Sequence, residues 1–328
     1  MGGKKVLFIG LNFYNYDKAI VQELISQGYE VDSYPCFFPV NNPMVILLSF
    51  FKFEKIVNKQ SESFRRKLVD SIGSGYDFVF IIGGVDTTDS FVAELKRKNP
   101  TSKFILYLWD SLENKPNILP LFKYFDKIFS FDRNNCNKHS EMKFLPLFYR
   151  NEYNRNTVNN GNIDVFHLGT VHSDRLKIVM NIVTMCLKNN ISFNFKLRME
   201  RIYYYYKILT SSVLKGAKPY IIFEDVSHKA NVDYIDNSKA VLDIQHPTQT
   251  GLTMRTIELV GMQKKIITTN KDIVNYDFYI KENVLVIDRE NLEIPVDFIK
   301  SPFVSIDENI RLKYSLKRWV KTIFNIQG

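Results

Sequence analysis

Val6-Leu-Phe-Ile9-Gly10, a segment from Tyr16 to Gln27, then Gly28 and Tyr29-Glu-Val-Asp-Ser-Tyr34 decide the fold. The first run is short, apolar and rich in β-formers, as a strand buried on both faces must be. The second places Ala19, Ile20, Leu24 and Ile25 on one helical face. Gly28 sits where a helix C-cap belongs, and the last run reads as the next strand. Strand, helix, glycine, strand is a βαβ unit.

The alternation continues outward from there. Helices are expected over 64–72 and 90–98, and strands over 77–82 (ending at Gly83-Gly84), 103–108, 126–131 and 143–147. The stretch from Arg150 to Gly161 is polar, rich in Asn and without apolar period, so it reads as a linker. Beyond it come strands over 164–168, 193–197, 240–244, 265–269 and 283–287, with helices over 174–188, 232–238 and 253–261. Two such series predict two doubly wound, Rossmann-like parallel-sheet domains of the α/β class. The boundaries expected are 1–155, 156–307, and a basic amphipathic C-terminal helix, 308–328, returning to the first domain across the junction.

The chain has 328 residues, 45% of them hydrophobic, with 14 Gly and 11 Pro, which excludes disordered and collagenous classes. Cys36, Cys136 and Cys186 are far apart, so neither a disulfide framework nor a cysteine zinc site is expected. A net charge of +9 favours polyanionic partners: nucleic acid, phosphorylated substrates or an anionic membrane surface. The longest apolar stretch, Pro43 to Phe51, is well short of the ~20 residues that cross a bilayer. The protein is expected to be cytoplasmic, soluble or peripheral.

In open α/β sheets, ligands bind beyond the carboxyl ends of the strands. Asp243-Ile-Gln-His-Pro-Thr-Gln-Thr-Gly-Leu-Thr-Met-Arg-Thr-Ile-Glu258 follows a strand and enters a helix near Thr253. Gly251 lets the backbone approach a ligand, with Leu252 and Thr253 beside it. Free N–H groups at the helix start suit a phosphate. Arg255 is placed to neutralise a diphosphate, and Glu258, on the same face, to accept two ribose hydroxyls; a helix-surface Arg–Glu pair fits the same spacing. A second strand end, Gly169-Thr170-Val-His172-Ser173-Asp174-Arg175, offers a helix capped by Ser173 or Asp174, with His172 and Arg175 facing an anion.

The run from Asp243 to Asn270 resembles the donor-site region of GT-B glycosyltransferases that build bacterial surface polysaccharides, above all lipopolysaccharide and capsule biosynthesis proteins and the CgeB-like set. Their Gly-x-Thr-x-Arg-x-x-Glu helix start matches Gly251, Thr253, Arg255 and Glu258. The turn at Gly169, Thr170, His172 and Arg175 is similar to the first β–α turn of their C-terminal domain. Tyr107-Leu-Trp-Asp-Ser111, Phe125-Asp-Lys-Ile-Phe-Ser-Phe-Asp132 and Phe144-Leu-Pro-Leu-Phe-Tyr149 resemble the same set, whereas 199–225 matches nothing in it. The resemblance implies two Rossmann-like domains facing a cleft, a nucleotide-sugar donor in the second, and a glycan or lipid-linked acceptor in the first. Many retaining members carry two glutamates eight positions apart. Glu258 matches the second, but Thr250 stands at the first, which leaves the stereochemistry open.

An inverting reaction needs a base for the acceptor hydroxyl. Asp110, at a strand end, is the first candidate, although it equally fits a loop-capping carboxylate. Asp86 is the second and His246 the third. Metal binding has little support: the five histidines show no HxH or HExxH spacing and no DxD follows a strand. No cofactor is expected. Gly83-Gly84 lacks the GxGxxG continuation of a dinucleotide site. Apolar residues over 36–56 with Arg65-Arg66-Lys67 read first as core packing, and second as a loop in peripheral contact with the anionic inner membrane, on its cytoplasmic face. Arg201-Ile-Tyr-Tyr-Tyr-Tyr-Lys207 interleaves rings and charge, and four adjacent tyrosines cannot share a helix face, so some must be exposed. Without an RNP, KH or zinc-finger pattern, nucleic acid is not expected. The rival readings are a nucleotide-sugar epimerase or hydrolase on the same fold, and a basic, non-catalytic nucleic-acid-binding module.

Overall fold

The computed structural model describes residues 3–11, 15–35, 54–83, 87–155 and 161–324. The chain divides into two compact units, Met1–Pro146 with Val320–Gly328, and Leu147–Trp319. Each is built on a six-stranded, all-parallel sheet with flanking helices.

In the first unit the elements run β1 (Lys5–Gly10), α1 (Tyr16–Ser26), β2 (Glu30–Pro35), α2 (Glu54–Ser71), β3 (Phe78–Gly83), α3 (Asp89–Lys98), β4 (Lys103–Leu108), β5 (Lys127–Ser130), α4 (Arg133–Lys138) and β6 (Met142–Phe144). Their order in the sheet is β2-β1-β3-β4-β5-β6. β3 reads Phe-Val-Phe-Ile-Ile-Gly and is buried throughout, as a central parallel strand should be. Gly28, after α1, has φ +90°, the left-handed geometry that ends the helix at no steric cost.

In the second unit they run β7 (Ile163–Thr170), α5 (Arg175–Lys188), β8 (Phe193–Arg198), α6 (Arg201–Ile208), α7 (Ser212–Gly216), β9 (Ile221–Ile222), α8 (His228–Asp236), β10 (Ser238–Asp243), α9 (Met254–Gly261), β11 (Lys265–Thr268), β12 (Val284–Val286), α10 (Val296–Lys300), α11 (Glu308–Lys313) and α12 (Leu316–Phe324). The order is β12-β11-β10-β7-β8-β9. From β7 the chain winds toward β8, and from β10 toward β11. The carboxyl ends of β7 and β10 therefore flank the sheet's topological switch point, where such sheets hold ligands.

Three expectations change. The boundary expected at 155/156 falls instead after Pro146. Residues 147–155 pack into the second unit because Tyr149, Arg150 and Tyr153 are buried there, and Tyr153 Oη meets His228 Nδ1 at 2.8 Å. The expected linker is thus ordered structure in its first half. The helix expected over 308–324 breaks at Tyr314-Ser315, where the backbone leaves the helix to pair with Tyr149: Tyr149 N–H donates to Tyr314 O at 2.8 Å, and Leu316 N–H to Tyr149 O at 2.9 Å. The third unit expected over 308–328 is shared: α12 belongs to the second unit through Trp319 and to the first from Val320. Trp319 packs on Phe148, and Phe324 on Phe78, Phe80 and Tyr29, with ring centroids 5.2–5.4 Å apart. Of the region expected to meet a membrane, 36–56 with Arg65-Arg66-Lys67, residues 36–53 lie outside the described residues and the rest belongs to α2.

Phe324→Ala removes a buried ring from that aromatic cluster and should destabilise the first unit by about 3–5 kcal/mol, read as a lower urea midpoint.

Candidate functional site

The site is assembled at the carboxyl ends of β7 and β10, and each half depends on a buried polar group. Asp243, the last residue of β10, is buried and accepts the hydroxyls of Thr253 and Thr256 on its Oδ2 at 2.7 and 2.5 Å. Thr253 Oγ1 in turn accepts the Thr256 N–H at 3.2 Å and caps α9. Asn270 Nδ2 donates to Thr250 O and Gly251 O at 2.9 and 3.2 Å, which fixes the turn before the helix. Gly251 and Leu252 are buried in that turn. With N3 satisfied by the Thr253 cap, the N–H groups of Met254 and Arg255 lack any helical acceptor.

Arg255 and Glu258 lie on one face of α9, with Nε 3.8 Å from Oε2. Glu258 is the inner member, buried beside Tyr153, and Arg255 the outer, with 19% of its side chain exposed. Arg255 Nε and Nη1 are shielded from water and have no hydrogen-bond partner among the described residues. Burial and the Glu258 carboxylate push the Tyr153 hydroxyl well above its usual range.

Arg175 does not extend outward. Its Nη1 donates to Thr170 O at 2.7 Å and its Nη2 to Ile244 O, so one guanidinium ties the ends of β7 and β10. Gly169 permits this: a Cβ there would lie 3.0 Å from His167 Nε2 and 3.2 Å from Arg175 Nη1. The expected side-chain cap on α5 is absent. Asp174 stands at the N-cap position, but its carboxylate takes both oxygens' bonds from Arg289 Nη1, at 2.8 and 2.7 Å, and Ser173 adopts φ +46° with its hydroxyl 3.0 Å from His172 Nδ1. Arg289 Nη2 also donates to Gln245 O at 2.7 Å.

The two strand ends meet. The rings of His172 and His246 lie 5.7 Å apart, and His246 Nδ1 is 2.8 Å from Thr248 Oγ1. Desolvation, then the positive charge of Arg175 and the neighbouring His246, push His172 down to about 4. Burial lowers Arg175 from its usual value, with Arg255 and Arg289 adding to the effect. Burial is the larger cause of both shifts; the three guanidiniums gathered at one switch point add to it, and a bound anion would relieve that added part.

Asp110 lies after β4 in the first unit, where its Oδ1 accepts Ser111 N–H at 2.9 Å and Asn114 Nδ2 at 2.8 Å. The loop-capping role is therefore present, and Oδ2 takes no part in it. Asp86 lies outside the described residues. Among the described residues, no three His, Cys, Asp or Glu side chains gather as a metal site would require.

Sequence reasoning missed Arg289, Asn270 and His167. The first two follow β12 and β11, so the strand-end rule that found Arg255 reaches them as well. His167 lies inside β7, where nothing in its neighbours' sequence marks it.

No protein-family model matches the chain, and no curated protein matches it. Solved structures do. Sucrose-phosphate synthase from Thermosynechococcus elongatus is similar at a TM-score of 0.57 and 9% identity, over 98% of this chain and 95% of that one. HepE of Anabaena, in complex with UDP-glucose, is similar at 0.56 and 8% identity over the same shares. A putative UDP-N-acetylglucosamine 2-epimerase from Listeria monocytogenes gives 0.54 and 12%, again over 98% and 95%. The fold is GT-B. In GT-B terms, the cluster around Arg255 lies in the second of two Rossmann-like units.

His167 gives this unit an acid-sensitive core. Its Nδ1 is 2.7 Å from Leu242 O, so Nδ1 carries the proton and the ring is neutral; burial, reinforced by Arg175, pushes it down to about 3. The unfolded chain takes up this proton near pH 6.5, whereas the folded one resists until about 3. Stability is therefore complete above pH 6.5 and falls on acidification, by about 2 kcal/mol at pH 5. Urea midpoints at pH 7 and 5 should show this loss, and His167→Gln should reduce it, leaving the part that His172 contributes in the same direction.

Proposed function

We propose that the chain is a glycosyltransferase that moves a sugar from a nucleotide-sugar donor to a glycan or lipid-linked acceptor in bacterial surface polysaccharide synthesis, at the cytoplasmic face of the inner membrane. The observation that carries this reading is Arg255: a shielded guanidinium whose Nε and Nη1 have no hydrogen-bond partner among the described residues, at a helix start where its own backbone N–H and that of Met254 are open. Unpaired buried donors are costly, and a diphosphate satisfies them. The similarity to a structure solved with UDP-glucose supports the same assignment.

In the reaction the anomeric C–O bond to the diphosphate breaks as the acceptor oxygen bonds to the anomeric carbon. The charge that collects on the departing diphosphate meets Arg255 and the start of α9, with His172 and His246 alongside. Those fixed charges supply what a metal would, so the transfer is proposed to be metal-independent, without a cofactor. Glu258, the inner carboxylate, receives the ribose hydroxyls. Asp110 takes the acceptor's proton through its free Oδ2 if the configuration inverts. Arg175 and Gly169 hold the two strand ends in register for this.

A second reading is favoured by the similarity to a putative 2-epimerase: conversion of the nucleotide-sugar without acceptor. Incubating the donor alone separates the two, since an epimerase turns it over and a transferase hydrolyses it only slowly.

A thermal-shift screen with UDP-, GDP-, CDP- and dTDP-sugars identifies the donor, because a ligand of the native state raises the melting temperature by mass action. Arg255→Ala should weaken that donor about 10- to 100-fold, the range for a charge-assisted bond, with EDTA leaving wild-type binding and transfer unchanged. Glu258→Gln should weaken the nucleoside monophosphate yet spare inorganic diphosphate; equal loss of both would make Glu258 only a support for Arg255. Calorimetry reads each. Asp110→Asn should keep donor affinity and lose transfer by at least 100-fold; wild-type turnover would remove it as the base.

A further inference from the structure

The segment Arg201-Ile-Tyr-Tyr-Tyr-Tyr-Lys-Ile-Leu-Thr-Ser-Ser-Val-Leu-Lys-Gly-Ala-Lys-Pro-Tyr220 has the polarity of its faces reversed. Tyr204 and Leu214 point inward and pack with Met199. Ile202, Tyr205, Tyr206 and Leu209 recur at the spacing of a single helical stripe and point to solvent, as does Val213 on α7. Ile202 is 85% exposed, Leu209 78%, Tyr206 69% and Tyr205 60%. Leu209 keeps helical backbone angles after α6, so the stripe continues past the helix end toward α7. Scattered exposed apolar residues need no explanation, but a contiguous stripe of this kind marks a surface meant to be covered.

Charge says what covers it. The twenty residues carry Arg201, Lys207, Lys215 and Lys218 and no Asp or Glu. Lys207 Nζ lies 5.7 Å from the Tyr203 ring and 6.0 Å from that of Tyr206, so its cation sits at the margin of the aromatic stripe. Lys215 and Lys218 are exposed on the following turns. Tyrosine rings at headgroup depth, aliphatic side chains below them and lysines reaching outward form the side-chain order of a helix lying in a bilayer interface. A protein partner would meet such a stripe with apolar side chains and has no need of this cationic border; an anionic lipid surface needs both.

We propose that the face formed by α6 and α7 docks the second unit onto an anionic lipid bilayer, with Ile202, Tyr205, Tyr206 and Leu209 inserted at headgroup level and Lys207, Lys215 and Lys218 against lipid phosphates. None of these residues belongs to the strand-end cluster that would hold a donor, although Tyr204 and Leu214 beneath them pack against Val171 and Leu176 beside it. Docking requires no transfer chemistry, so either proposal stands if the other fails.

Sedimentation of the full chain with phosphatidylcholine vesicles, with and without 30 mol% phosphatidylglycerol (roughly the content that makes a surface strongly anionic), tests it. The expected result is binding only to the anionic vesicles, weakened by 0.5 M salt, which shortens screening to roughly 4 Å. Ile202→Ser with Leu209→Ser should abolish it. Each lysine reversed in Lys207→Glu, Lys215→Glu and Lys218→Glu should weaken it about fivefold or more. Unchanged circular dichroism and urea midpoints confirm that these exposed substitutions leave the fold intact. Wild-type protein that fails to sediment, serine variants that bind as well as wild type, or a dimer in sedimentation velocity that the serine pair dissociates would each overturn the proposal.

Discussion

The second unit depends on one guanidinium in an unusual place. Arg175 spans from the end of β7 to the end of β10, donating to Thr170 O and Ile244 O. These carbonyls stand where the sheet changes winding direction, so no further ladder bond is available to hold them. A half-buried arginine used in this way gives up hydration and returns it as two charge-assisted hydrogen bonds. Because a Cβ at Gly169 would crowd this guanidinium at 3.2 Å, one glycine and one arginine together set the spacing of the two strand ends.

Around that brace the charges form a graded set. Arg289 is neutralised by Asp174, Arg175 is spent on carbonyls, and Arg255 shares only a 3.8 Å contact with Glu258. Of the three, Arg255, at the start of α9, keeps the most shielded donors unused, Nε and Nη1, against Nε alone on Arg175. Asp243 is held by two hydroxyls and keeps that helix start aimed where β10 ends.

Much of this was legible in the sequence because the relevant signals are local. Strands such as β3 and β4 are continuous apolar runs, and the glycine after α1 marks its end. The pairing of Arg255 and Glu258 on one face follows from helical spacing alone. What remained hidden depends on contacts distant in sequence. Arg175 looks like a surface arginine until the carbonyl of Ile244, 69 residues away, is seen beside it. Asp174 looks like a cap until Arg289 claims it from 115 residues away. The break between α11 and α12 has no glycine or proline to announce it, since its cause is the backbone of Tyr149. Residues 150–155 look like a linker because they are polar, whereas the burial of Tyr153 depends on residues far along the chain such as His228.

The division of α12 has a consequence for how the chain is made. The first unit is begun by β1 but closed by Phe324, which seals rings on β3 and Tyr29. The second unit, Leu147–Trp319, is continuous. Domains emerging from the ribosome ordinarily finish in the order in which they are translated. Here the earlier half must wait, its aromatic seam open, until the later half has been synthesised.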